Sequence, residues 1–134
     1  MEKKFKRDFS ELANIVAMTE TLFEEAEIES GLRNVVDLAT EELFVNMVTY
    51  NIETKEDILI RMVPHDYGIE VSLTDYDVER FDPTGAGRVD VEAPLEERTP
   101  GGLGLYLVLK MVDSIHYEYR NRQSKITFIV YRKN

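Results

Sequence analysis

The sequence predicts an α+β fold, and three observations carry that prediction. Three stretches place apolar residues at helical spacings of three and four, and two pairs of short β-rich runs are each joined by a turn. The chain has 134 residues, 43% of them hydrophobic, which suits one sizeable core, so a single domain spanning 1–134 is expected. No internal repeat or low-complexity tract interrupts this pattern.

Residues 3 to 9 alternate charge with Phe5 and Phe9 and read as an edge strand, after which Ser10 is an expected helix N-cap. The first helix carries Leu12, Ile15, Val16, Leu22, Phe23 and Ala26 on one face and ends among Glu24, Glu25 and Glu27. The second runs from about Leu32 to Tyr50, with Leu32, Val35, Val36, Ala39, Leu43, Met47 and Tyr50 in the same period, and should pack beside the first. Ile58–Val63 and Ile69–Thr74 form a hairpin across Pro64–Gly68. From 77 to 102 all periodicity is lost in a stretch rich in Pro, Gly and acid. That is too long for an idle connection and reads as a functional lid. A third helix follows over about 102 to 113. Ile115–Tyr119 and Ile126–Tyr131 then close the chain as a second hairpin through Asn121–Ser124.

Charge and composition remove several function classes. With 16 Lys and Arg against 26 Asp and Glu, the formal charge of −10 argues against direct nucleic-acid binding, which needs a surplus of cations facing phosphate. The absence of cysteine excludes disulfides, thiolate metal sites and a thiol nucleophile. No apolar run reaches membrane-spanning length, and Met1–Asp8 lacks the apolar core of a signal peptide, so a soluble, cytoplasmic protein with no membrane partner is expected. His65 and His116 have no sequence-local partner for a metal site, and no Gly-x-Ser-x-Gly elbow is present.

Three features point to chemistry. In Thr99-Pro100-Gly101-Gly102-Leu103-Gly104-Leu105 the glycines stop where a helical apolar pattern begins, and a flexible turn feeding a helix N-terminus can cradle an anion. In the second helix Asn46 falls within the apolar arc, one turn after Glu42, so a carboxylate and an amide oxygen project to the same side. Both are hard ligands of the kind Mg²⁺ accepts beside phosphate oxygens; equally, Glu42 can be a surface residue and Asn46 can bond to a neighbouring strand. Asp75 follows the apolar run of the first hairpin, where its carboxylate can accept from an adenine amino group or simply form a turn.

The order of these features resembles the Bergerat-fold ATPases, the GHKL group of gyrase-type topoisomerases, histidine kinases and mismatch-repair ATPases. The likeness is to one branch in particular, the anti-sigma factor serine kinases of bacterial partner-switching systems. Glu41-Glu42-Leu43-Phe44-Val45-Asn46-Met47-Val48-Thr49-Tyr50 looks like its Glu-x-x-x-Asn box, and Asp75 with Phe81-Asp82-Pro83 looks like its adenine-binding box. Gly101-Gly102-Leu103-Gly104-Leu105-Tyr106-Leu107-Val108 looks like its phosphate-lid box. Leu95-Glu96-Glu97-Arg98 and Ile126-Thr127-Phe128 extend the likeness over nearly the whole chain.

The resemblance implies a two-layer sandwich, a mixed and mainly antiparallel sheet covered on one face by three helices. It implies ATP and Mg²⁺ as cofactors and serine/threonine protein kinase activity. Asn46 would coordinate Mg²⁺, Glu42 would orient or deprotonate the attacking hydroxyl, Asp75 would bind the adenine amino group, and Thr127 would support the base from the sheet. The turn of Gly101, Gly102, Leu103, Gly104 and Leu105 would hold the phosphates, and Arg98 close by would add charge at the γ-phosphate, reach a partner, or equally be an exposed structural residue. The implied partners are a sigma factor and a small anti-sigma factor antagonist, and a homodimer is a family expectation. A partner-sequestering module without catalysis is the alternative on the same fold.

One position departs from the family pattern: Asp77 stands where Gly usually follows the adenine-binding Asp by two residues, and the run to Phe81 is one residue longer. A side chain there brings bulk and another negative charge towards a polyphosphate, so ATP binding would weaken or the loop would rearrange.

Overall fold

The computed structural model describes residues 1–79 and 102–132, with the helix but not the side chains described over 102–105. Five strands, β1 (Glu2–Phe5), β2 (Ile58–His65), β3 (Gly68–Tyr76), β4 (Ser114–Arg120) and β5 (Gln123–Tyr131), form one sheet in the order β1-β2-β3-β5-β4. Each described pairing is antiparallel. Three helices, α1 (Leu12–Glu25), α2 (Arg33–Tyr50) and α3 (Gly102–Met111), complete the α+β architecture.

Register explains which sheet face is covered. Met62, Val71 and Phe128 lie opposite one another across β2, β3 and β5, and Ile60, Leu73 and Ile126 form the next row. All six are buried in one cluster with Ile15, Leu22, Val36, Leu43, Phe44 and Val108 of the helices. Because side chains alternate along a strand, the intervening row of Arg61, Ser72, Thr127 and His116 lies on the opposite face. Burying a side chain such as Ile60 or Phe128 contributes about 1.5–3 kcal/mol, so these rows dominate the choice of register.

The second helix buries more than the single stripe that periodicity suggests. Val36, Ala39, Thr40, Leu43, Phe44, Asn46 and Met47 are all buried. The cause is position: α2 packs against α1, α3 and β3 together, so a wide arc of its surface is covered. It starts at Arg33, one residue later than expected, after a 3-10 turn at Ser30–Leu32.

Local chemistry corrects the expected N-terminus. The strand stops at Phe5, and Asp8, not Ser10, is the capping residue: its Oδ1 accepts from Ser10 N at 2.9 Å. That bond winds Phe9–Glu11 into a 3-10 turn, and Phe9 leaves the strand for solvent.

Both hairpins are tighter than their sequences suggest. β2 continues through Pro64 and His65, leaving Asp66 and Tyr67 as the turn. Proline is accommodated because β1 pairs only with Ile58–Arg61, so no neighbour needs a donor from Pro64 on that side. In the β4–β5 hairpin Asn121 and Arg122 both take left-handed backbone, φ 52° and 61°, a two-residue turn whose twist matches the strands it joins.

Candidate functional site

Helix α2 organises the polar groups singled out in the sequence. Glu42 is partly exposed and Asn46 is 6% exposed, one turn further along. One turn beyond, the helix ends at Asn51, whose N–H donates to Met47 O at 3.0 Å. Glu42 and Asn46 share a side of the helix, whereas Asn51, at its C-terminal end about 13–14 Å further along the axis from Glu42, leaves from the other side.

A further polar group is Asp75 on β3. Sequence reading puts it at a strand terminus; in the structure it is the penultimate residue of β3, paired with Ser124 and fully buried at 0% exposure. Its Oδ2 accepts from Asn51 Nδ2 at 2.6 Å, which ties it to the end of α2. Its Oδ1 forms an ion pair with Arg7, a residue in the link between β1 and α1. Arg7 is itself fixed, donating from Nε to Glu56 O at 3.0 Å and from Nη1 to Met47 O at 3.2 Å. Burial lowers the pKa of Arg7, and the nearby charges of Glu53 and Asp57 oppose that shift. No sequence signal identifies Arg7 or Asn51 as partners of Asp75, because the three lie in separate segments that only the fold brings together.

Thr127 is not brought to this site. It belongs to the outer row with Ser72 and His116, on the face away from the helices. Ser124 is the residue of β5 opposite Asp75 on the same face, and it is buried. Period two explains the miss: Ser124 and Thr127 differ by an odd number of residues, so they point to opposite faces.

Asp77, which stands where the family pattern has Gly, is accommodated at a turn position. It adopts the left-handed conformation, φ 56°, which Asp tolerates better than most side chains. Its Oδ1 accepts from Arg122 Nε at 2.9 Å, so the extra charge has a counter-ion in the β4–β5 turn. The next two residues are docked as well: Val78 N donates to Arg122 O at 3.0 Å, Tyr119 donates to Val78 O at 2.8 Å, and Glu79 N donates to Glu53 Oε1 at 2.9 Å.

Helix α3 opens at Gly102, where the third helix was expected to start, and packs against α2; Gly102–Leu105 of the expected glycine turn are its first helical residues. Of the remaining expected site residues, Arg98 and Gly101 lie outside the described residues, as do 80–101 of the expected lid. For Gly102, Leu103, Gly104 and Leu105 the structure describes the helical backbone only.

Glu41, beside Glu42, has its pKa raised by burial, with Asp37 and Glu42 adding to the shift. A carboxyl whose folded pKa is raised contributes stability below its unfolded pKa, and loses it as pH rises through the folded value. At neutral pH its charge is therefore a cost. Glu41→Gln is expected to raise the melting temperature at pH 7 by about 1–2 °C and to lose that advantage near about pH 4, as thermal denaturation at several pH values will show.

Among the described residues no three His, Cys, Asp or Glu side chains gather as a metal cluster. His65 instead stacks on Tyr67, ring centroids 4.7 Å apart, and His116 lies 3.6 Å from Glu118. A cation at Asn46 would have one hard amide oxygen from the protein, a donor set that suits Mg²⁺ carried in by phosphates. No described helix is long and apolar enough to cross a membrane.

The family model described as the histidine kinase-like ATPase domain matches residues 5–130. The chain belongs to that family. A comparison with curated proteins found no match.

Proposed function

We propose that the protein binds ATP with Mg²⁺ along α2 and passes the γ-phosphoryl group to a serine or threonine hydroxyl of a small antagonist protein, as an anti-sigma factor kinase does. The observation that carries this reading is that Glu42 and Asn46 share one side of α2 while the residue ending that helix holds the buried Asp75. Asn51 holds the base-reading Asp75 at the end of the helix, Asn46 stands in the middle, and Glu42 lies one turn further.

Each group has one task. Asp75, acceptor-only while ionised, takes a hydrogen from the base amino group. Asn46 offers its amide oxygen to the cation, and bound Mg²⁺ supplies neutralisation of charge on the phosphates. Glu42 accepts a hydrogen bond from the attacking hydroxyl and aligns it, or takes its proton. The amides at the start of α3, including Gly102 and Gly104, face the phosphates with the favourable end of the helix dipole. Such a site works by positioning and electrostatic stabilisation, so few side chains suffice.

In this proposal the protein also binds a sigma factor and releases or retains it according to the state of the antagonist. The acidic balance of −10 suits the basic face of a DNA-binding partner. The protein works in the cytoplasm, and a homodimer is part of the proposal.

A second reading, sequestration of a partner without catalysis, is favoured by one observation: both oxygens of Asp75 are already engaged by Arg7 and Asn51. Incubation with labelled ATP, Mg²⁺ and a small antagonist-like protein separates the two. Label on an antagonist serine or threonine supports the kinase, and partner binding without transfer or nucleotide binding supports sequestration.

A further inference from the structure

The ion pair between Arg7 and Asp75 has a consequence for which purine the site accepts. A carboxylate with no exposure loses its hydration, and without a counter-charge it would take up a proton. Asp75 has that counter-charge in Arg7, a guanidinium 11% exposed and anchored to the carbonyls of Met47 and Glu56. The other charged groups acting on Arg7 are Glu53 and Asp57. Asn51 and Ser124, which face Asp75 from α2 and β5, are neutral.

An ionised carboxylate has about four acceptor sites and no donor. Asn51 uses one, and Arg7 lies against the other oxygen as its counter-charge. What remains can only accept, which welcomes the exocyclic amino group of adenine and repels a carbonyl oxygen at the same position. A protonated carboxyl would carry an O–H and could donate to that carbonyl.

We propose that Arg7 is a specificity-determining positioning residue, which holds Asp75 as a pure acceptor so that the site selects a 6-amino purine over a 6-oxo purine. Arg7 does not touch the nucleotide in this account and acts through Asp75. The inference rests on the nucleotide reading above, and the experiment separates the two.

The test is calorimetric titration of the full chain with ADP and with IDP in Mg²⁺, at pH 6 and pH 8. The wild type is expected to prefer ADP by about ten- to a hundred-fold at both pH values, the scale set by one mismatched buried polar contact. In Arg7→Gln, which keeps donors for the two carbonyls and loses the charge, that preference is expected to fall at least about ten-fold at pH 6 and to recover partly at pH 8. Arg7→Lys, which keeps the charge, is expected to restore most of it. A loss of affinity for both nucleotides by the same factor, with the ratio unchanged, would show a structural role only and overturns the proposal. Equal wild-type affinity for ADP and IDP overturns it too, while leaving nucleotide binding intact. Failure of the wild type and the variants to bind either nucleotide sinks the nucleotide reading and this inference with it. Should Arg7→Gln fail to fold, the carbon-13 shift of the Asp75 carboxyl in the wild type decides. Ionisation throughout pH 5–8 supports the proposal, and titration within that range overturns it.

Discussion

Asn46→Ala is expected to abolish Mg-ATP binding and any phosphoryl transfer while leaving the fold and the partner surface intact. Asn46 is the one site residue whose amide oxygen can reach a cation from the buried arc of α2, and alanine is both smaller and a better helix former. Loss of a single cation ligand in a site that takes most of its other ligands from phosphate and water removes the protein's hold on the metal. Calorimetry with ADP in Mg²⁺ should show at least about a hundred-fold weaker binding, a cost of about 2.7 kcal/mol. The same titration in EDTA isolates the cation: there the wild type and the variant should differ little. Unchanged affinity in Mg²⁺ would remove Asn46 from the site.

The largest effect on stability is expected at Gly68. It starts β3 directly after the Asp66–Tyr67 turn with φ +156°, which side chains rarely adopt. A Cβ there would press on the Val130 carbonyl oxygen and lie 2.9 Å from Tyr131 Cα. Neither neighbour can yield cheaply. Both belong to β5, where Gly68 pairs with Tyr131, and Arg132 N donates to Tyr67 O at 2.8 Å just beyond. Gly68→Ala therefore forces two central strands apart at the turn, and should cost about 3 kcal/mol or more in chemical denaturation, combining backbone strain with overpacking. A loss below about 1 kcal/mol would mean that the hairpin shifts to make room.

Much of the fold was legible because period is a property of sequence. The apolar spacing of Leu12 to Ala26 and of Leu32 to Tyr50 located two helices, and the β-rich runs located both hairpins. Glu42 and Asn46 were legible for the same reason, since a separation of four residues on a helix fixes their shared side. The boundaries were harder. Asp8 took the cap from Ser10 through one side-chain bond, and Phe9 left the strand as a result. Both hairpin turns shortened to two residues because pairing extended each strand until the twist was satisfied.

The site itself divides along the same line. Sequence by itself determined that Glu42 and Asn46 share a side of α2, that Asp75 lies at the end of an apolar strand, and that a helix begins at about Gly102. Those facts depend on neighbours a few residues away. Only the tertiary structure decided that Asp75 pairs with Arg7 and Asn51, that Ser124 rather than Thr127 faces it, and that Asp77 is neutralised by Arg122. The physical reason is sequence distance: Arg7 and Asp75 are brought together through β1, α1 and the sheet. The free energy that joins them comes from burial of Phe5, Ile58 and Leu73, which no local pattern around either residue contains.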